Sequence, residues 1–265
     1  MPDALRPALS TLTVARVRPV EVNRRTAGRA MELAPAVGLL LGAVSAAVLL
    51  LGRVVQQEHG SALLPAAMAV ATLALLTRGL HLDGLADLAD GLGSYQDPEG
   101  ARRVMKAPDV GPLGVATLVL ALLVQVAALQ ACVLEGRGTA SLLLAVATGR
   151  LAITASCVRT LAATPEGLGA TVAMTVRAGV TSAWFALLAG AFAAYALVDP
   201  DASGSAGVKL IRTVLAVVLA LAGCRLLRDH AVRRLGGLNG DVLGALCEIA
   251  TTVALVVLSA GGHHT

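Results

Sequence analysis

The sequence predicts an all-α membrane protein that crosses the bilayer about seven times, with its N-terminus in the cytoplasm. Three observations carry that expectation. Of the 265 residues, 56% are hydrophobic and only 14% are charged, whereas a soluble domain carries about 25% charged residues. Apolar runs recur at a length of about 17–25 residues, enough for a helix to cross the hydrocarbon core. Lys and Arg are sorted between alternate loops, as the positive-inside rule requires. The chain is read as one membrane-embedded domain over 1–265. Residues 1–32 form an N-terminal cytoplasmic segment, and 78–112 form a cytoplasmic loop with its own helix.

Met1 to Arg29 carries six arginines and no uninterrupted apolar core, so no cleavable signal peptide is expected there. The seven predicted spans are Leu33–Val55, Ala62–Leu80, Leu113–Leu134, Ala140–Leu161, Val180–Val198, Leu210–Leu227 and Val242–Ala260. Ala, Leu, Val and Gly supply most of their mass, and such small residues let helices approach closely in lipid. Lys209 and Arg212 flank or enter the sixth span, and Arg150 lies inside the fourth. Cys132, Cys157, Cys224 and Cys247 sit apart in apolar surroundings with no CxxC spacing. They read as small buried residues, not as a disulfide frame or zinc site.

The basic residues set the orientation. One side holds the N-terminal tail (Arg6, Arg16, Arg18, Arg24, Arg25, Arg29), the second loop (Arg78, Arg102, Arg103, Lys106), the fourth (Arg159, Arg177) and the sixth (Arg225, Arg228, Arg233, Arg234). The other side holds Arg53, Arg137, Lys209 and Arg212. The net charge of +4 therefore speaks of topology and not of a nucleic-acid partner. Every loop of unusual composition falls on the Arg-rich side, so any chemistry is expected to face the cytoplasm.

The second loop opens with HLDGLADLADG, His81 to Gly91. Asp83, Asp87 and Asp90 are spaced i, i+4, i+7, which places them within about 60° of arc on a helix. Three like charges on one face repel unless a cation sits among them. Ligands that are all carboxylate oxygen favour a hard metal, Mg²⁺ or Mn²⁺. The plainer reading, a solvated charged loop, does not explain why one face is hit three times at a membrane boundary. His81 points away from that face, either as a polar helix-end residue or as a base or ligand. Downstream, Arg102, Arg103 and Lys106 can meet phosphate oxygens, or can serve as an ordinary positive flank. Pro108, Gly111, Pro112 and Gly114 mark an irregular turn into the third span.

Two further segments carry polar residues next to glycines. TPEGLGA (Thr164–Ala170) holds Glu166. RRLGGLNGDVLGALCE (Arg233–Glu248) holds Arg234, Gly236, Gly237, Gly240 and Asp241, with Glu248 deeper in the last span. Asp241 can cap the last helix. An intramembrane Glu needs a partner, and an ion pair with Arg150 is the expectation. Of Trp184, Phe185, Phe192 and Tyr195, three read as lipid or interface anchors.

These segments together resemble the cobalamin synthase family, the adenosylcobinamide-GDP ribazoletransferases. The resemblance rests on GLHLDGLADLADGLGS, VMKAPDVGPLGV, PEGLGA and RRLGGLNGDVLGA in that order, with LAPAVGLLLGA resembling the family's first span, and it covers nearly the whole chain. Asp109 is read as standing in for an acidic residue that the family carries near Ala107. The family also often has Thr where Asn239 stands, and Arg where Ala163–Thr164 stand.

The resemblance implies a multi-pass enzyme of the cell membrane that transfers a substituted phosphate group. Such an enzyme joins adenosylcobinamide-GDP to α-ribazole or its 5′-phosphate, late in cobalamin biosynthesis, releases GMP and requires Mg²⁺. It implies Asp83, Asp87 and Asp90 as metal-binding and catalytic residues, with His81 beside them. Arg102, Arg103, Lys106, Asp109, Glu166, Arg234, Gly237 and Asp241 would bind substrate and its phosphates. Small-molecule substrates and the lipid bilayer are the expected partners, nucleic acid is not, and a homo-oligomer is compatible with the resemblance.

Two other classes stay open on the residues alone. A CDP-alcohol or polyprenyl-type phosphotransferase also uses membrane-end aspartates. A secondary transporter would place its carboxylates at the midplane within inverted repeats.

Overall fold

The computed structural model describes residues 2–15, 23–56, 61–198 and 205–260; Arg16 and Arg18 of the N-terminal arginine set lie outside them. Twelve helices make up the described residues. Six are long and apolar enough to cross a membrane: α3 (Ala34–Val55), α7 (Pro112–Leu134), α8 (Gly138–Ser156), α10 (Ala178–Val198, its first 18 residues qualifying), α11 (Ala206–Leu235) and α12 (Gly240–Ser259). The expected second span is divided into α4 (Leu63–Leu76) and α5 (Leu80–Gly93), which qualify only together and meet at 88°. Short helices fill the remainder: α1 (Pro2–Leu12), α2 (Arg24–Glu32), α6 (Pro98–Met105) and α9 (Leu168–Val172).

The 88° corner has a backbone cause. Arg78 and Gly79 are consecutive left-handed residues, at φ +55° and +68°. Gly79 takes that conformation freely, whereas a residue with a Cβ is strained there. The corner turns α5 off the line of α4 and lays it across the beginnings of α7 and α12. The acidic face is thereby carried out of the spanning direction.

Helix α12 is central and packs against α5, α7, α8 and α11. The α3–α8 contact is close because small residues face each other: a Cβ on Gly38 would stand 2.9 Å from Ala147 Cα. Without water in the bilayer core, such close packing supplies much of what holds spans together. Leu40, Val44 and Leu51 on α3, and Val119, Leu120 and Leu123 on α7, point outward, as a lipid-facing surface requires. The four cysteines are free and buried.

The loops sort to two ends. At one end Arg137 Nε donates to Leu258 O (3.0 Å) and Arg212 Nη1 to Ala260 O (3.4 Å), so two cations meet the carbonyls that close α12. At the other end Val14 N donates to Leu76 O, Trp184 Nε1 donates to Glu32 O, and Arg177 pairs with Glu32. This second, polar end holds α1, α2, α5, α6 and α9, the loops the arginine bias grouped together.

One expectation is corrected. No ion pair joins Arg150 to Glu248. Glu248 instead accepts from Gln125 Nε2 of α7 at 2.9 Å, so a neutral amide supplies its donor. Arg150 is fully buried, and none of its guanidinium nitrogens has a hydrogen-bond partner. Trp184, Phe185 and Phe192 are half-buried and pack against an inner cluster around Leu144, Leu188 and Val217. Tyr195 is the half-exposed member of the four.

Candidate active site

The site is assembled where α5, α6, the loop before α9 and the turn before α12 meet. On α5, Asp83 is exposed, Asp87 and Asp90 are half-buried and His81 is buried. The helical spacing thus puts the three carboxylates on the open face and the imidazole inside. Gly84 faces α12, and a Cβ there would lie 2.7 Å from Asp241 O. That close approach brings Asp241 beside the acidic face of α5.

Asp90 has a different surrounding from its neighbours. Its Oδ2 accepts from Gly111 N (2.7 Å) and its Oδ1 from Gly114 N (2.9 Å). Gly111 is the N-cap of α7 and brings no side chain of its own, so Asp90 caps α7 from another helix. Asp87 keeps its charge with difficulty: burial, then Asp83, Asp241 and Asp90, push its carboxyl up to about 6. Burial and the Arg150 guanidinium push the His81 imidazole well below its usual value, so it is neutral at pH 7.

The other two polar segments are stitched together. Ala163 N donates to Leu238 O (2.9 Å) and Leu238 N to Leu161 O (2.7 Å), forming a parallel bridge between Ala162 and Leu238. Asn239 caps α12 by accepting from Val242 N at 2.9 Å, and its Nδ2 donates to Asp241 Oδ2 at 3.2 Å. The capping role considered for Asp241 therefore falls to Asn239. Arg102 of α6 donates to Leu235 O at the end of α11, and Arg234 donates to Gln96 O at 3.3 Å.

Between these pieces lies a pocket of about 290 Å³, lined by Arg102, Met105, Lys106, Thr164, Glu166, Gly167, Leu168, Gly169, Asn239, Gly240 and Asp241. Arg102, Lys106, Glu166 and Asp241 are thus brought to one cavity. Arg103 and Asp109 are exposed and do not line it, while Gly237 sits in the bridged turn against Ala162. Asn239 and Thr164 are lining residues the sequence reading did not choose. For Asn239 a signal existed, since Asn directly before a helix with Asp in its first turn is a capping pattern.

Among the described residues no group of three or more His, Cys, Asp and Glu side chains converges as a metal site. The donor chemistry nevertheless fits a hard cation. Asp83 and Asp87 offer only carboxylate oxygen, and burial first, then the neighbouring carboxylates of Asp83, Asp241 and Asp90, raise the Asp87 carboxyl. Mg²⁺ is commonly held by one or two carboxylates, with water and substrate phosphate completing its shell.

Fold and site together define a polytopic membrane protein with acidic, basic and glycine-rich segments converging at one end of its bundle. The profile of the Cobalamin-5-phosphate synthase family matches residues 4–259, and the chain belongs to that family. Similar proteins bear the name adenosylcobinamide-GDP ribazoletransferase. That of Frankia casuarinae is 41% identical over 96% of this chain and 93% of its own length. That of Nocardioides sp. is 39% identical over 98% and 100%, and that of Corynebacterium efficiens 37% over 94% and 88%. No solved structure matches.

Proposed function

We infer that this protein is a membrane-embedded ribazoletransferase, joining adenosylcobinamide-GDP to α-ribazole or its 5′-phosphate to give the corresponding adenosylcobalamin product and GMP. The observation that carries this reading is the family match over nearly the whole chain, from residue 4 to residue 259. The geometry supports it, because three of the four segments behind the resemblance line one pocket, and α5, which carries the other, packs against α12 beside Asp241.

In this reaction a ribose hydroxyl oxygen attacks the corrinoid-side phosphorus of the diphosphate. The new P–O bond forms as the bond to GMP breaks, and the hydroxyl proton passes to a carboxylate. Charge grows on phosphoryl and leaving oxygens, so cationic clamps matter more than a covalent nucleophile. Arg102 and Lys106 line the pocket and are the phosphate clamps. Asp83 and Asp87 are the carboxylates that would hold Mg²⁺, which when bound supplies charge neutralisation to the diphosphate. Asp90 is occupied by two backbone amides, so the proton acceptor is sought among Asp83, Asp87 and Asp241. The arginine bias supports an orientation with this end toward the cytoplasm.

The test is GMP release by purified protein in nanodiscs given adenosylcobinamide-GDP and either acceptor, with and without Mg²⁺. Metal-dependent GMP with a matching cobalamin product supports the reading. Well-folded protein that releases no GMP with either acceptor under any divalent metal overturns it.

A further inference from the structure

A second pocket adjoins the first and has the opposite character. It measures about 220 Å³, and Leu12, Met31, Leu80, His81, Ile153 and Leu243 make most of its wall. Leu168, Gly240 and Asp241 line both pockets, so the two cavities meet at the first turn of α12. The phosphate pocket has Arg102, Lys106 and Glu166; in the second, Asp241 and the His81 imidazole are the ionisable side chains. His81 is 2% exposed, and its Nδ1 has no hydrogen-bond partner. Its backbone is pinned, since a Cβ on Gly244 of α12 would stand 3.2 Å from His81 Cα.

The proposed reaction uses two molecules whose recognition needs differ. The donor brings an anionic diphosphate. The acceptor brings a nucleoside whose base is a flat, largely apolar bicyclic ring with one unprotonated nitrogen. A cationic pocket suits the first, and an apolar slot with one polar atom in its wall suits the second. Continuity through Asp241 and Gly240 would set the acceptor's ribose next to the donor's phosphates, the arrangement that transfer between them requires.

We propose that the apolar pocket between α1, α2, α5, α8 and α12 is the subsite for the acceptor's base, with the His81 imidazole in its wall as the hydrogen-bond donor to the base's ring nitrogen. This rests on the ribazoletransferase reading and deepens it. It also makes the N-terminal helices part of the acceptor site, because Thr11, Leu12 and Met31 form its outer wall.

The experiment measures binding of α-ribazole and of adenosylcobinamide-GDP separately to the full chain in nanodiscs. Leu80→Trp and Thr11→Trp narrow the pocket from partly exposed positions, which limits harm to folding. Each is expected to weaken α-ribazole by about tenfold or more, the scale on which a pocket rejects misfitting bulk. Adenosylcobinamide-GDP affinity should stay within about twofold, which is the folding control.

His81→Phe is tested with α-ribazole and with an analogue carrying C–H in place of the ring nitrogen. Wild type should prefer the natural base by about five- to tenfold, the worth of one neutral hydrogen bond, and His81→Phe should lose that preference. Unchanged α-ribazole affinity in both tryptophan variants, with donor binding intact in wild type, overturns the subsite and leaves the reaction standing. Wild-type protein that binds neither molecule overturns the transferase reading and this inference with it.

Discussion

Asp90 holds the start of α7 through Gly111, whose amide donates to its Oδ2 at 2.7 Å, while the Gly114 amide takes the other oxygen at 2.9 Å. Of the three aspartates on the acidic face of α5, one thus has an architectural role as well. It fixes the corner between the acidic helix and the third apolar span. Asp83 and Asp87 stay open to a ligand.

That difference separates two variants. Asp90→Ala removes a cap and leaves two amides at a helix start unpartnered, a loss of about 0.5–2 kcal/mol. Its thermal midpoint in detergent should fall, with turnover falling alongside. Asp87→Ala removes a charge that its surroundings disfavour. It should insert and melt at or above the wild-type temperature, yet make no GMP. A melting point lowered by Asp87→Ala and untouched by Asp90→Ala would reverse these roles.

Asp87 also predicts a pH response. Its carboxyl is raised to about 6 by burial and by Asp83, Asp241 and Asp90. The folded protein therefore holds this proton at pH values where the unfolded chain has lost it. Stability from this group is largest at low pH and falls as pH rises from about 4 through about 6. The side chain is only half-buried, so solvent screening keeps the effect small. Melting in EDTA should show a modest decline between pH 5 and pH 7 that Asp87→Asn abolishes. Adding Mg²⁺ should flatten the decline, because a bound cation favours the charged form. A midpoint that rises over that interval in Asp87-dependent fashion would contradict the assignment.

Much of this architecture was legible before any coordinates. Apolar run lengths located the spans to within a few residues for α3, α7 and α12, because bilayer thickness dictates helix length. Arginine placement separated the loops into two groups that meet at opposite ends of the bundle. The i, i+4, i+7 spacing placed Asp83 and Asp87 on an open face. What stayed hidden depends on contacts between distant segments. Asp90 looks like its neighbours until Gly111 and Gly114 fold against it. The 88° corner at Arg78–Gly79 is a local backbone event inside a run that reads as one span. The second pocket takes Leu12 and Met31 from a segment whose sequence suggests only a basic tail.

The contact between Gly84 and Asp241 gives a steric prediction. A Cβ at position 84 would lie 2.7 Å from Asp241 O and 3.0 Å from its Cα, both backbone atoms that cannot swing aside. Gly84→Ala must push α5 off α12 and widen the gap between the acidic face and the phosphate pocket. Helix propensity alone would favour the substitution by about 1 kcal/mol, so a loss is evidence for the close approach. The expected result is lower thermal stability and at least a tenfold drop in turnover, about the penalty for misplacing reacting groups. Gly93→Ala serves as a comparison at the end of α5, where the neighbour is the flexible Leu113 side chain, and should be milder in both measurements. Equal effects at the two positions would argue against a special α5–α12 contact.

Deep in the bundle, Gln125 and Glu248 make the corresponding prediction for the core. Gln125 Nε2 donates to Glu248 Oε2 at 2.9 Å and to Thr252 Oγ1 at 3.0 Å, tying α7 to α12. Gln125→Leu keeps the volume and removes the donor, leaving the carboxyl oxygen unpartnered in a medium without water. The expected cost is about 1–3 kcal/mol, read as a lower midpoint in detergent melting. Pairing it with Glu248→Leu should recover part of that loss, since removing both partners spares the unpartnered oxygen. Arg150 is the competing explanation, because its guanidinium lies buried without a hydrogen bond and a carboxylate nearby could offset its charge. If the Glu248 carboxylate chiefly serves Arg150, Gln125→Leu will be nearly silent and the double variant will melt like Glu248→Leu, with no recovery.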